Sequence, residues 1–294
     1  MTREDLLALR SILDRQLRST GLNAVADNIE ASLLPSIRLL INQPDGARER
    51  APRSKLGGRP DLPTDLHWPT RQGVPLAFVA QLSLEELWHS ALDPLIPRVG
   101  TLFFFYDAWN QPWGYDPADR GSWEIIYHTI DSRALRPAEA PDAIAPGIVF
   151  REAFIRGALE WTLPSIDAET SADPEFTRRE LEAYWSVLDN FRKTDELQPV
   201  HRFLGHPDSL QGDMRLQSQL ASHGVYVGDA RGFDSSTSKE LAEGAKEWQL
   251  LLQVDSAEDL DMHWGDGGRL YYWIPRADLR RLHFDSTWAV LQCT

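Results

Sequence analysis

Cysteine is almost absent from this chain of 294 residues, which contains Cys293 alone. A single cysteine excludes an intramolecular disulfide, and this favours a reducing compartment. No apolar run approaches the ~18 residues that a membrane-spanning helix needs, and the charged N-terminus lacks the apolar core of a secretory signal. We therefore expect a soluble, cytoplasmic protein that does not bind membranes.

Positive charge is also in short supply. The chain has 30 Lys and Arg residues against 44 Asp and Glu residues, so its formal net charge is −14. Such an excess of negative charge argues against binding to nucleic acid or anionic lipid, whose phosphates it would repel. The same excess is compatible with a basic protein partner.

Known catalytic motifs are missing as well. The sequence has no G-x-S-x-G elbow, no H-E-x-x-H, no C-x-x-C, no G-x-G-x-x-G and no Walker lysine. These absences favour a protein without enzymatic activity, and we predict no cofactor. A convergent active site built from dispersed residues stays open, because a fold does not dictate a function.

Tryptophan, in contrast, is abundant, with 11 residues. Most tryptophans pack in cores, where their large rings dominate the packing energy. Exposed members of the group Trp109, Trp113 and Trp123 are the candidates for a partner-binding surface, because aromatic residues dominate interface hot spots.

The most informative feature is a pattern that occurs twice. Each copy contains a Gly/Pro turn, an apolar run with a glutamine near its end, and an aromatic run that follows a glycine. The first copy is S-K-L-G-G-R-P-D-L-P (54–63), P-L-A-F-V-A-Q-L (75–82) and G-T-L-F-F-F-Y (100–106); the second is F-L-G-H-P-D (203–208), W-Q-L-L-L-Q-V-D (248–255) and G-R-L-Y-Y-W-I (268–274). The pattern predicts two related halves, at about 50–165 and 200–292.

The arrangement of short elements predicts the fold class. Leu6, Leu9, Leu13 and Leu17 recur at helical spacing, so residues 1–34 are predicted to form an N-terminal helical segment. In 35–294, short strands are interleaved with few helices and without regular βαβ alternation. We therefore predict an α+β domain with mostly antiparallel sheets.

In these blocks the chain resembles the YwqG-like family, a bacterial family of unknown function. The resemblance also rests on Trp68-Pro69 and on W-G-D-G-G-R-L-Y-Y-W-I (264–274), and it spans roughly residues 50–292. It implies an α+β fold built from two related halves and implies no reaction.

Ligand-binding candidates lie at the repeated turns and strand ends. Lys55, Gly57 and Gly58 could cradle an anion, since glycines permit close backbone approach; the alternative is an ordinary tight turn. Gln81 and Gln253 end equivalent strands and could face a ligand cleft or satisfy backbone groups. Residues within the other matched blocks complete this set: His206, Asp208, Gln211 and Trp264.

Two loops could supply a metal or acid–base site if the halves pack together. His206 and Asp208 lie in one loop, and His263 and Asp266 lie in the other. Two imidazoles and two carboxylates would suffice to bind a metal. The alternative is that these side chains cap backbone amides in turns.

The sequence thus favours a non-enzymatic protein-binding function, of the kind that an immunity protein or antitoxin has. The alternative is a small-molecule-binding protein or metal-dependent hydrolase with a site between the two halves. A structural or scaffold role is a third interpretation. The sequence does not determine the oligomeric state.

Overall fold

A computed structural model describes residues 3–41, 54–63, 66–92, 96–129, 135–165, 176–191 and 199–294. The helices and strands in these ranges follow one another in a mixed order. They are α1 (Arg3–Ser19), α2 (Ala26–Ala31), β1 (Leu34–Ile41), β2 (Lys55–Leu56), β3 (Asp61–Leu62), β4 (Thr70–Arg71), β5 (Val74–Pro75), β6 (Ala77–Ser83), α3 (Leu84–Leu87), β7 (Thr101–Tyr106), β8 (Trp123–His128), β9 (Arg136–Pro137), β10 (Ala153–Thr162), α4 (Arg178–Phe191), β11 (His201–Phe203), α5 (Arg215–Ser222), α6 (Ala230–Asp234), α7 (Ser236–Leu241), β12 (Trp248–Asp255), β13 (Arg269–Pro275), α8 (Arg276–Arg280) and β14 (Trp288–Gln292).

Ten of these strands form one sheet, in the order β14-β13-β12-β11-β1-β10-β2-β6-β7-β8. Every neighbouring pair is antiparallel. β1 and β10 pair at the centre, and four strands follow on each side. The predicted α+β class with a mainly antiparallel sheet is confirmed.

The two outer groups of strands share a local irregularity. The register of β6 against β7 shifts at Val79, and that of β12 against β13 shifts at Leu251. In each case a backbone N–H from an earlier turn donates a hydrogen bond to the carbonyl of the residue at the shift. The Gly57 N–H donates to the Val79 carbonyl at 2.9 Å, and the Leu204 N–H donates to the Leu251 carbonyl at 3.1 Å. Such a bulge bends its strand and increases the local twist.

The sheet curls until its two outer groups of strands face each other. The indole N–H of Trp123 donates to the Thr287 carbonyl at 2.8 Å, and its ring lies edge-on to Trp288 at 4.9 Å. Phe104 of β7 meets Tyr272 of β13 at a centroid distance of 5.2 Å. Buried aromatic side chains therefore pack between these two groups of strands.

The N-terminal helices form a second, smaller core. Leu13 and Leu17 of α1 are fully buried and belong to one cluster with Ile29 of α2 and Tyr184 of α4. The helical spacing of the leucines thus predicted α1 correctly. None of the described helices is both long and apolar enough to cross a membrane.

Candidate functional site

Gln81 and Gln253, the two glutamines of the repeated sequence pattern, each bind the backbone of a nearby turn. Gln81 accepts the backbone N–H of Asp61 at 2.7 Å and donates to the carboxylate of the same residue at 2.9 Å. Gln253 accepts the backbone N–H of Asp208 at 2.8 Å and donates to the Val200 carbonyl at 2.8 Å. Both glutamines are fully buried. Their amides therefore satisfy groups inside the protein rather than face a ligand cleft.

Arg202 is the centre of a buried ion-pair cluster. Its guanidinium lies 2.6 Å from Glu160 and 2.7 Å from Asp208, and its side chain is only 5% exposed. Burial lowers the pKa of Arg202, but the attraction of Asp208 and Glu160 outweighs burial and raises it. The arginine therefore stays charged, and the two carboxylates neutralise it.

Side chains of β13 extend this cluster. Arg269 pairs with Asp255 at 3.1 Å and donates to the Asp208 carbonyl at 2.8 Å. The hydroxyl of Tyr271 donates to the same carbonyl at 2.8 Å. Asp208, a ligand and metal candidate from the sequence, is thus held by internal contacts at both its carboxylate and its backbone.

Burial strongly lowers the pKa of His201, which lies beside the Arg202 cluster. It is 1% exposed, and its Nδ1 accepts the backbone N–H of Asp255 at 3.1 Å. Its Nε2 has no hydrogen-bond partner among the described residues. Burial, followed by the charges of Arg38 and Arg269, lowers the pKa of His201 to about 3. The imidazole is therefore neutral near pH 7 and unsuited to proton transfer there.

A small cavity of about 30 Å³ lies against the Arg202 cluster. Arg38, Glu160, Asp208 and Phe191 contribute to its wall. A cavity of this size holds roughly one or two water molecules. Among the described residues, this cavity beside the cluster is therefore too small for a substrate.

The glycine turn at Gly57 and Gly58 uses its cation and its backbone N–H groups in internal contacts. Lys55 is 3% exposed and pairs with Asp61 at 3.3 Å and Glu152 at 3.1 Å. The N–H groups of Gly57 and Gly58 donate to backbone carbonyls. A Cβ at Gly57 would clash with the backbone oxygen of Arg151, and the positive φ of Gly57 also favours glycine. Three nearby cations that could also attract an anion, Arg48, Arg50 and Arg53, lie outside the described residues.

The four metal candidates do not come together. His206 donates from Nε2 to the Ser32 carbonyl at 2.7 Å, and Asp208 belongs to the Arg202 cluster. His263 and Asp266 are exposed on a separate loop. Within the described ranges, no group of three or more His, Cys, Asp or Glu side chains could hold a metal ion. The geometry therefore gives no support to a metal site at these residues.

The remaining ligand candidates lie apart. Gln211 is exposed, and its backbone N–H donates to the side chain of Gln292 at 3.1 Å. Trp264 is fully buried, with its ring 5.8 Å from Tyr106 and 5.5 Å from Phe150. Trp264 is therefore a core residue and cannot contact a ligand at the surface.

The three tryptophans proposed as partner anchors differ in exposure. Trp109 is 68% exposed, Trp113 is half-buried against the main core, and Trp123 is only 7% exposed. Trp123 cannot anchor an interface because it packs between the two ends of the sheet. Of the three, Trp109 is the one whose side chain is free to meet a partner.

The loop that carries Trp109 is held in place. The backbone N–H of Gln111 donates to the Asp107 carbonyl at 2.9 Å. The Gln111 side chain donates to the His263 carbonyl at 2.9 Å and accepts the Gly265 N–H at 2.9 Å. The loop of Trp109 is therefore fastened to the loop around residue 264.

That second loop is acidic. Glu258, Asp259 and Asp266 are exposed on it, and Asp261 pairs with Arg151 at 2.8 Å. An exposed aromatic ring and several exposed carboxylates thus belong to two connected loops. We call these residues, 107–111 with 258–266, the Trp109 surface.

Comparison with known proteins identifies a family but no activity. No curated protein matches the chain. A protein-family model matches residues 54–293, which is more than half of the chain and includes both copies of the repeated pattern. The chain therefore belongs to the family described as a domain of unknown function, DUF1963.

Proposed function

We propose that this protein is a non-enzymatic binding protein that holds a basic protein partner on the Trp109 surface. The exposed ring of Trp109 on a fixed loop is the observation that carries the proposal. A rigid aromatic side chain loses little conformational freedom on binding, which is why such residues dominate hot spots.

The charge of the surface supports a basic partner. Three exposed carboxylates lie on the loop that Gln111 fastens to Trp109, and the whole chain carries a net charge of −14. Complementary charge speeds encounter and suppresses wrong partners. An immunity- or antitoxin-like role is one form that such binding would take.

Replacing Trp109 by alanine is expected to weaken capture of the partner by about 30-fold, since a hot-spot residue contributes about 2 kcal/mol or more. The measurement is affinity capture of the tagged full chain from its native lysate, quantified by mass spectrometry. The matched control is Trp185→Ala, because Trp185 is also exposed (44%) but lies on α4. Captured basic protein should also decrease as salt is raised.

Two results would contradict this proposal. One is a wild-type chain that captures no protein in stoichiometric amount. The other is a captured protein that Trp109→Ala retains as well as the wild type and Trp185→Ala do.

We also propose that the chain is a YwqG-like protein of bacterial origin and that it is cytoplasmic. The shared motifs and the single cysteine support it. Fractionation of the native cells tests it, and recovery in a membrane or secreted fraction would count against it.

We also propose that residues of about 50–165 and 200–292 are two copies of one structural unit. Three similarities support this relation. The strands of the two copies follow in the same order outward from the centre of the sheet, and each copy has a bulge, at Val79 or Leu251. In each copy a buried glutamine, Gln81 or Gln253, also accepts a hydrogen bond from a backbone N–H of the turn.

If the two glutamines have the same role, Gln81→Met and Gln253→Met should each destabilise the protein by about 1–2 kcal/mol. Methionine keeps the volume but leaves the backbone N–H of Asp61 or Asp208 without its acceptor. Urea unfolding of each variant measures the change. A substitution without effect at one site and a loss at the other would argue against equivalent roles.

A further inference from the structure

A short basic segment, residues 280–283, lies at the end of α8, and we call it the α8 corner. All four of its residues are exposed. The side chains of Arg280 and Arg281 have no ion-pair or hydrogen-bond partner within the part of the chain that the structure describes. The α8 corner therefore presents two uncompensated positive charges on a chain whose net charge is −14.

The same corner presents an apolar side chain. Leu282 is 39% exposed, and its φ of 57° lies in the left-handed region, which a leucine adopts only at a cost. The turn is held by its N–H, which donates to the Leu279 carbonyl at 3.0 Å, and by the His283 N–H, which donates to the Asp278 carbonyl at 2.9 Å. The carboxylates of Asp278 and Asp285 lie near His283, at 3.8 and 3.9 Å, and pair with neither arginine. The fold thus fixes an exposed leucine beside two free arginines.

The α8 corner and the Trp109 surface lie at opposite ends of β13. The loop 258–266 precedes the first residue of this strand, Arg269, whereas α8 directly follows its last residue, Pro275. A strand of seven residues spans about 23 Å. One end of the strand therefore carries exposed carboxylates and the ring of Trp109, and the other end carries free arginines and Leu282.

We propose that the α8 corner of one molecule binds the Trp109 surface of a second copy of this chain, so that the protein associates with itself head to tail. Glu258 and Asp259 are exposed carboxylates that suit the two guanidinium groups, and the ring of Trp109 suits a guanidinium or Leu282. Complementary charge fixes the orientation of such a contact and disfavours others. Because the contact uses two different surfaces, it generates a ring or an open chain of molecules.

This inference rests on the proposed function in one respect, because it also takes the Trp109 surface as a binding surface. It names a partner for that surface, namely a second copy whose α8 corner supplies the positive charge. A basic protein that binds the Trp109 surface should therefore compete with self-association.

The negative charge of the whole chain opposes the contact only at long range. Two molecules that each carry −14 repel one another, but at physiological ionic strength the Debye length of about 8 Å screens charges that lie farther apart. Charges in direct contact are screened less. Self-association should therefore be present at about 0.15 M salt and weaker at about 1 M, where the Debye length is about 3 Å.

Sedimentation velocity of the full chain measures this association. We expect the mean mass of the wild type to rise above that of the monomer as its concentration increases. The double variant Arg280→Glu with Arg281→Glu should weaken self-association by at least tenfold, because it replaces attraction by repulsion. The matched control is Arg178→Glu with Arg179→Glu, since these adjacent arginines are exposed on α4 and their replacement changes the net charge equally.

Reversing the charge on the other surface gives an independent test that does not depend on loss alone. Glu258→Lys with Asp259→Lys should also weaken self-association, because the lysines repel the arginines of the α8 corner. An equimolar mixture of this variant with Arg280→Glu/Arg281→Glu should associate again, since the new glutamates of one molecule meet the new lysines of the other. A variant that had failed to fold would not be rescued in this way.

Three results would overturn this inference. They are a wild-type chain that stays monomeric at every concentration, whether or not its α8 corner then binds another acidic protein; an α4 control that weakens association as much as the α8 variant does; and a mixture of the two charge-reversed variants that stays monomeric. A monomeric chain that still captures a basic protein through Trp109 would remove the inference and leave the proposed function intact.

Discussion

Arg202→Met is expected to destabilise the protein by about 3–5 kcal/mol, because removing one partner of a buried ion pair leaves its carboxylates without compensation. Here two carboxylates, Glu160 and Asp208, would lose the same cation, and both are mainly buried. Arg202 also donates to the His206 carbonyl at 2.9 Å, so the turn after β11 would lose this contact as well. The free energy of unfolding in urea at pH 7 measures the effect.

Lys55 provides the matched comparison, because it lies six residues before Asp61, as Arg202 lies six residues before Asp208. Lys55 is as buried as Arg202, but its partners Glu152 and Asp61 have side chains that are 40% and 24% exposed. Because these carboxylates can reach water, Lys55→Met should destabilise the protein less than Arg202→Met does. Equal losses at the two positions, or a loss below about 1 kcal/mol for Arg202→Met, would contradict the role given to the Arg202 cluster.

Lys55 and Arg202 also show which ion pairs could be predicted from the sequence. The runs K-L-G-G-R-P-D (55–61) and R-F-L-G-H-P-D (202–208) place a cation six residues before an aspartate, and both pairs form ion pairs in the structure. Aligning the two copies from this cation onward would have identified Arg202. The strand class was predictable for the same reason, since the apolar and aromatic runs of both copies are short and bounded by glycine.

Other contacts could not be predicted because they join residues that are far apart in the chain. Glu160 reaches Arg202 from β10, and Gln111 reaches the loop around residue 264 across more than 150 positions. Periodicity shows which residues are apolar, but it does not show which strands meet when a sheet curls. The sequence therefore does not show that Trp123 packs between the two ends of the sheet, where it cannot contact a partner.

Helices in the second half were missed for a different reason. The segments of α5, α6 and α7 are short, and α6 and α7 contain serine, aspartate and glycine, which also favour turns. α5 packs against β12 and β14, whereas α6 packs against α7, and α7 packs against α5. A local sequence pattern does not report such tertiary packing.

Lowering the pH from 7 to 4 should reduce stability by about 3 kcal/mol through His201 alone. Its pKa is about 3 in the folded protein, where burial and the charges of Arg38 and Arg269 keep it neutral. In the unfolded chain the same imidazole has a pKa near 6.5, so the unfolded state binds more protons below that pH. Stability is therefore present above pH ~6.5 and is lost as the pH falls toward 3, by up to about 1.4 kcal/mol per pH unit.

His201→Asn separates this contribution from that of the carboxylates, which also lose their ion pairs in acid. Asparagine keeps an acceptor for the Asp255 N–H but does not titrate in this range. Urea unfolding of both proteins between pH 7 and pH 4 should therefore give a flatter pH dependence for the variant, with the difference growing steadily below pH 6.5. Parallel curves for the two proteins would contradict the prediction, because they would mean that His201 has the same pKa in the folded and unfolded states.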